Sequence, residues 1–328
     1  CVPKKLFVYA SHYSEEYRQA EGFGWDQARP NFDWSVLLEN KDSEISRLNS
    51  IYKGLLDSAG VTHFEGRARI ADEHHVEVNN QIISAEKILV ATGGWPTVPD
   101  FPGTEHVITS NEAFFLPKLP ARALVVGGGY IAVEFAGIFQ GLGVDTTLSY
   151  RGELFLRHFD IDIRKMVKEE LEKKSINLAF KTQVETIKKN DDSTLSVTFK
   201  GGSRVETDLV LYATGRAPAV SDIGLENVGI LQRANGAIVI DEDFRTSSSS
   251  IFALGDVTDR LQLTPVAIEE AMCFASTQFL GRRKVMDYSN VATAVFCQPN
   301  VGTVGLTEDE AREHLSDIDV YRSIFRPL

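Results

Sequence analysis

The sequence predicts an α/β chain built from two related units, and three observations predict it. A hairpin, a buried strand and an Ala-Thr-Gly-x-x-Pro segment occur twice, at Ala91–Pro96 and Ala213–Pro218, about 120 positions apart. Between the copies, the apolar strand Leu124-Val125-Val126 delivers a glycine triplet into an apolar helix. The chain has 328 residues, too many for one ordinary core, so two or three domains are expected.

Composition narrows the classes. With 43% hydrophobic and 24% charged residues and no biased tract, the chain reads as a globular protein. A formal net charge of -12 argues against a protein that neutralises nucleic-acid backbones, so a bound anion needs a local basic pocket. The most apolar stretch, 123–139, is interrupted by glycines and by Glu134, which excludes it as a membrane span. No signal or transit segment is visible. Cys1, Cys273 and Cys297 are few and far apart, which excludes a disulfide scaffold and suits a reducing compartment, the cytoplasm first and an organelle as the alternative. Cys273 and Cys297 read as buried apolar filler. The chain starts at Cys1 rather than at methionine and stops at Leu328 without a terminating pattern, so it reads as a fragment.

Each element has a local cause. Ile45, Leu48, Ile51, Tyr52, Leu55 and Leu56 recur at helical spacing and Ala59-Gly60 closes the run, predicting an amphipathic helix over 44–56. A short strand is expected around Val61–Phe64. Val76-Glu77-Val78 turns through Asn79-Asn80 into Gln81-Ile82-Ile83, a hairpin, and the buried strand 87–90 runs into Ala91-Thr92-Gly93. In the second copy, 195–199 turns at Gly201-Gly202 into 204–206, and Leu209–Tyr212 leads into Ala213-Thr214-Gly215-Arg216. Ile251-Phe252-Ala253 forms a strand ending in Leu254-Gly255-Asp256, a helix spans about 265–280, and a strand-rich segment opens at Val291.

The triplet carries chemistry. Gly127-x-Gly129-x-x-Ala132 stands after a strand and before a helix, the setting a dinucleotide-binding turn requires. Gly127 permits the tight turn, Gly129 lets a pyrophosphate approach the backbone, and Ala132 lets the helix pack close while its N-terminus meets the anion. Alone, such a triplet is more often a plain turn. The next strand, 145–149, ends where an NAD enzyme places a carboxylate for the ribose; this chain offers Arg151 and then Arg157. Two guanidinium forks suit the 2′-phosphate of NADPH, against the plainer reading of two solvated arginines. At the later strand end, Asp256 can accept from a ribityl hydroxyl, and Leu263-Thr264-Pro265 opens a helix whose N-terminus can meet a flavin carbonyl. Taken by itself, Asp256 is an ordinary loop residue.

Cys1-Val2-Pro3-Lys4-Lys5, Ala91-Thr92-Gly93, 127–137, 213–216, 254–256, 263–265 and 301–307 fall in an order that resembles the glutathione reductases, over essentially the whole chain. The resemblance is strongest to plant and Gram-negative bacterial members, and Lys4, where lipoamide dehydrogenases and mercuric reductases carry serine, favours the glutathione and trypanothione branch. It implies two Rossmann-like dinucleotide-binding domains, for FAD and NADPH, plus the start of an α+β dimerisation domain. The implied boundaries are 1–94 for the remainder of the FAD domain and 95–218 for the NADPH domain. Residues 219–289 complete the FAD domain, and 290–328 open the interface domain.

The resemblance further implies that Cys1 is the second cysteine of a Cys-x-x-x-x-Cys redox pair lying against the flavin. It makes Lys4 the lysine near the flavin, paired with Glu134, and Tyr130 the aromatic lid that nicotinamide displaces. Tyr52 borders the glutathione disulfide, or is a core aromatic. The activity implied is NADPH-dependent reduction of glutathione disulfide in a homodimer. The alternatives are reduction of a trypanothione-like or coenzyme A disulfide, or a non-catalytic NADPH-binding flavoprotein. Met272 stands where some glutathione reductases carry an arginine for a glutathione carboxylate. The family's first flavin glycine motif, the partner cysteine and the His-Glu acid/base pair match nothing here, and His314 reads as a helix-surface residue, so the fragment alone is not expected to turn over.

Overall fold

The computed structural model describes residues 1–25 and 31–325. In chain order, helices α1 (Val2–Ala20) and α2 (Trp34–Ser58) lead into strands β1 (Ala68–Asp72), β2 (His75–Val78), β3 (Gln81–Ser84), β4 (Ile88–Val90) and β5 (Gly94–Pro96). The short helix α3 (Ser110–Ala113) precedes β6 (Arg122–Val126), α4 (Tyr130–Gly141), β7 (Asp145–Tyr150), α5 (Ile161–Lys173) and β8 (Asn177–Phe180). Then come β9 (Val184–Lys189), β10 (Leu195–Phe199), β11 (Arg204–Thr207), β12 (Leu209–Tyr212) and β13 (Arg216–Pro218). The last elements are β14 (Ile251–Ala253), α6 (Thr264–Phe279), β15 (Thr293–Val295), β16 (Val301–Thr303) and α7 (Glu308–His314).

The chain divides into two compact units, one of residues 1–41, 98–214 and 289–328, the other of 42–97 and 215–288. The first is organised by a parallel sheet in the order β12-β6-β7-β8. Its central strand β6 buries Ala123, Leu124, Val125 and Val126 in succession, the pattern of a strand covered on both faces. Helix α4 makes the crossover from β6 to β7 and is buried all round from Ala132 to Phe139. Helix α1 packs on α4 so tightly that a Cβ on Gly141 would stand 2.6 Å from the Ser11 carbonyl oxygen. That contact, with Phe7 and Val8 buried in the same core, explains why the first 41 residues group with this sheet. An antiparallel sheet, β9-β10-β11, adds its own apolar cluster around Val197 and Phe199. The β15-β16 pair buries Val295, Cys297 and Val301 in the α4 core, and burial pushes the Cys297 thiol up to about 12.

The second unit holds the β1-β2-β3 meander, the parallel pair β14-β4 and the antiparallel pair β13-β5. Asn79 and Asn80 sit at φ 51° and 61°, the left-handed pair that a two-residue hairpin turn demands. Ile70, Ile88, Val90, Ile251 and Ala253 form one core; Phe244, Phe252, Cys273 and Phe274 form another under α6. Both Cys273 and Cys297 are thus buried, and no described cysteine is in a disulfide.

Two local expectations need correction. Val61–Phe64 is not a strand: both residues are exposed and the segment has no ladder partner, and an unpaired strand leaves its amides unsatisfied. The helix expected over 44–56 runs instead from Trp34 to Ser58. Its start is fixed by the Asp33 carboxylate, which accepts from the Ser35 amide at 2.9 Å, and by Trp34, whose Nε1 donates to the Leu116 carbonyl at 2.7 Å. Among the described residues no helix is long and apolar enough to cross a membrane.

Candidate active site

In the first unit the expected site residues gather at the N-terminal ends of α1 and α4. Cys1 occupies the N-cap position of α1, with a proline in the first turn and no acidic residue there, so the helix dipole favours an anion at this position. One turn on, Lys4 places Nζ 2.9 Å from Glu134 Oε1. Glu134 is 2% exposed in an otherwise apolar helix, and a buried carboxylate there must be paired. Its Oε1 also accepts the Phe296 amide at 2.8 Å, and the Lys4 ammonium lies 4.0 Å from the Phe296 ring centroid. One carboxylate therefore binds the Cys1 helix and the β15 end together.

The glycine turn is shaped by contact. A Cβ on Gly127 would meet the Ala213 carbonyl oxygen at 2.3 Å, and one on Gly128 would meet the Tyr150 ring at 2.2 Å. Gly129 differs: at the N-cap of α4, a Cβ would meet nothing within 4 Å, and no side chain caps the helix. The turn thus leaves an open space in front of uncapped helix amides, which is where a pyrophosphate fits. Ala132 is fully buried beneath it, and Tyr130 is exposed at the first helical position. Arg151 follows the end of β7, and Leu156, at φ 56°, returns its amide to the Gly128 carbonyl at 2.7 Å, bringing the chain before Arg157 back to the turn. Both arginines are exposed, on the loop that borders the turn.

In the second unit a different set converges. Gly93 at φ 74° precedes β5, and Gly215 precedes β13, to which β5 pairs. Thr92 is exposed at this end of β4. The Arg216 guanidinium donates to the Gly94 carbonyl. A Cβ on Gly94 would lie 3.5 Å from Asp256 Cβ and 3.7 Å from Arg216 Nε, so these residues form one cluster. Burial raises the Asp256 carboxyl above the ordinary carboxylate value, against the opposing pull of Arg216. Helix α6 begins nearby in sequence with Leu263 as N-cap, Thr264 first and Pro265 next, and no side chain caps it. Tyr52 is 64% exposed on α2, so its core reading does not hold, and Met272 is exposed on α6. His314 ends α7 and faces solvent.

Sequence reasoning missed two participants. Glu270, 1% exposed on α6, accepts the Gly255 amide at 2.6 Å and the Tyr288 hydroxyl at 2.6 Å. It carries the same signal as Glu134, a carboxylate set into an apolar helix. The amide of Phe296 has no side-chain signal at all.

The model of the pyridine nucleotide-disulphide oxidoreductases matches residues 1–271, and that of their dimerisation domain matches residues 291–328. A glutathione reductase of Burkholderia cepacia is 45% identical over the whole of this chain and 73% of its own length. The chloroplastic/mitochondrial glutathione reductase of Pisum sativum is 44% identical over the whole chain and 60% of its own length. The trypanothione reductase of Leishmania donovani is 40% identical over the whole chain and 70% of its own length. Among solved structures, the HOCl-induced flavoprotein disulfide reductase RclA from Escherichia coli superposes with a TM-score of 0.86 at 28% identity, covering 95% of this chain and 69% of that one.

Proposed function

The chain belongs to the pyridine nucleotide-disulphide oxidoreductase family, and on that footing we propose that the protein it represents reduces glutathione disulfide with NADPH, through FAD and the Cys1 sulfur. The observation that carries the reading is the Lys4–Glu134 pair, which binds the helix headed by Cys1 to the helix opened by the glycine turn. The residues present fit both cofactors: the open space over Gly129 and the uncapped α4 amides suit a dinucleotide pyrophosphate, and the Gly255–Asp256 turn with the uncapped α6 start suits a flavin. Gly127, Gly129 and Ala132 would hold the NADPH pyrophosphate, with Arg151 and Arg157 on the 2′-phosphate. Asp256, with Thr92, Gly93, Gly215 and Arg216 around it, and Leu263-Thr264 at the helix start, would hold FAD.

When bound, the two cofactors supply hydride transfer and passage of the electron pair toward a disulfide. The protein's own part is positional. The α1 dipole and the Lys4 ammonium, fixed by Glu134, favour a thiolate at Cys1. Tyr130, exposed at the first position of α4, would be the aromatic lid over the flavin that nicotinamide displaces. Tyr52 presents an aromatic face for the substrate. The match to the dimerisation domain supports a homodimer, and the scarcity of cysteine supports the cytoplasm as its place of work.

The intact protein is expected to oxidise NADPH with glutathione disulfide and to lose that turnover in Cys1→Ser; retained turnover defeats the reading. Arg151→Glu with Arg157→Glu is expected to raise KM for NADPH about a hundredfold more than for NADH, because each charged hydrogen bond is replaced by repulsion. Met272, in place of an arginine, favours one alternative, a different disulfide, and a panel including trypanothione disulfide separates it. Bleaching of the flavin by NADPH without oxygen separates an enzyme from a mere NADPH sensor.

A further inference from the structure

The Gly255–Asp256 turn is held from behind by a chain of hydrogen bonds that begins at a buried carboxylate. Glu270 Oε2 accepts the Gly255 amide at 2.6 Å, while Oε1 accepts the Tyr288 hydroxyl at 2.6 Å. The Arg260 guanidinium donates to the Tyr288 oxygen at 3.0 Å and to the carbonyls of Ile240 and Asp241 at 3.4 and 3.2 Å. On its other side, the Gly255 carbonyl accepts from Thr258 Oγ1 at 2.9 Å, and Thr258 is fully buried. Gly255 stands at φ 74°, a left-handed conformation open to glycine and costly to other residues.

Glu270 is 1% exposed, and among the described residues no cation pairs with it directly; the Arg260 charge reaches it through the Tyr288 phenol. Burial pushes that phenol up to about 12, which keeps it a donor. A carboxylate placed so deeply is retained only if the groups it binds matter to the fold or to a ligand. Its two partners are the amide of the turn and a tyrosine 18 residues away, and the turn carries Asp256.

We infer that Glu270 is a positioning residue for the flavin: through the Gly255 amide it sets the direction in which Asp256 leaves the turn, with Tyr288 and Arg260 holding it from outside. This rests on the reading of Asp256 as a flavin contact. In the holoenzyme, Glu270→Ala is expected to weaken FAD binding about tenfold or more, measured by equilibrium dialysis, because a charged hydrogen bond to the turn is lost. At saturating FAD, NADPH affinity, which rests on the glycine turn around Gly129, is expected to hold within about twofold, because the hydrogen bonds of Glu270 go to Gly255 and Tyr288 and not to that turn. Glu270→Gln, which keeps an acceptor for Gly255, recovers most of the FAD affinity.

At saturating FAD, the visible circular dichroism of the flavin changes in Glu270→Ala and in Tyr288→Phe, and a general loss of stability would not produce that change. Tyr288→Phe, which removes one hydroxyl, weakens FAD binding about threefold to tenfold and decides the matter if Glu270→Ala does not fold. Wild-type affinity with unchanged dichroism in Tyr288→Phe overturns the inference. Asp256→Asn measured alongside separates the two levels. If it too leaves FAD binding unchanged, the flavin reading of the turn falls; if it weakens binding while Tyr288→Phe does not, only the role of Glu270 falls.

Discussion

The two glycine turns, one opening α4 directly and one a few residues ahead of α6, solve one problem by different means. At Gly127-Gly128 the backbone is fixed by crowding, with Ala213 and Tyr150 occupying the space a side chain would need. At Gly255 the space is tolerable, since a Cβ would lie 3.5 Å from Ala267 Cβ, and the backbone is fixed by bonds to Glu270 and Thr258. The same contrast runs through the two buried carboxylates. Glu134 binds a cation and an amide, whereas Glu270 binds a phenol and an amide. Crowding depends on residues at fixed short spacing, while bonding recruits partners from any distance along the chain.

Substitutions can break or sharpen this contrast. Gly127→Ala drives a methyl into a backbone carbonyl that cannot move aside, so a loss of about 3 kcal/mol in urea unfolding is expected, from backbone strain and overpacking together. NADPH binding should go with it. Glu134→Gln leaves the Lys4 ammonium without its counter-charge. Breaking a fully buried pair costs about 3–5 kcal/mol, and because Lys4 keeps 15% of its surface we expect about 2 kcal/mol, read as a fall in the urea midpoint. Gly255→Ala meets only the conformational penalty of a positive φ, about 1 kcal/mol. A Gly255→Ala loss equal to that of Gly127→Ala would erase the distinction between a crowded and a bonded turn.

The same distinction explains what could be read in advance. The Asn79-Asn80 and Gly201-Gly202 hairpins, the strand before the triplet and the helix after it follow from residues within one turn of each other, and they form where expected. Buried strands β6, β12 and β14 declare themselves by apolar runs, whereas β4, read the same way, buries Ile88 and Val90 and exposes Leu89. Val61–Phe64 has the composition of a strand, but a strand exists only with a partner, and composition cannot supply one. The 44–56 stripe sets a helical period correctly, yet Ile51, Tyr52, Leu55 and Leu56 are exposed, because periodicity says which residues share a face and not what covers it. Lys4 and Glu134 are 130 positions apart, and only the family resemblance joined them; their 2.9 Å separation is a fact of tertiary structure. Glu269 and Glu270 are adjacent carboxylates in one apolar helix, and nothing in their spacing says which of them turns inward. Glu269 does pair outward, with Lys284, while Glu270 turns inward.

The smallest effect is expected at Asp256, and its sign is opposite to the others. Burial disfavours the charged form in the folded protein, so the folded carboxyl titrates above its unfolded value of about 3.9. A group raised in this way favours folding fully only below the unfolded value, and that contribution is lost as pH rises through the folded one. Asp256→Asn removes the titration. The flavin-free variant should therefore match the wild type near pH 3 and exceed it at pH 7, by a small margin because solvent screening at this half-buried site weakens the effect. Urea unfolding at the two pH values measures this. A variant less stable than the wild type at pH 7 would show that the Arg216 attraction outweighs burial, so the charge would then belong to the fold itself and not to whatever the turn holds.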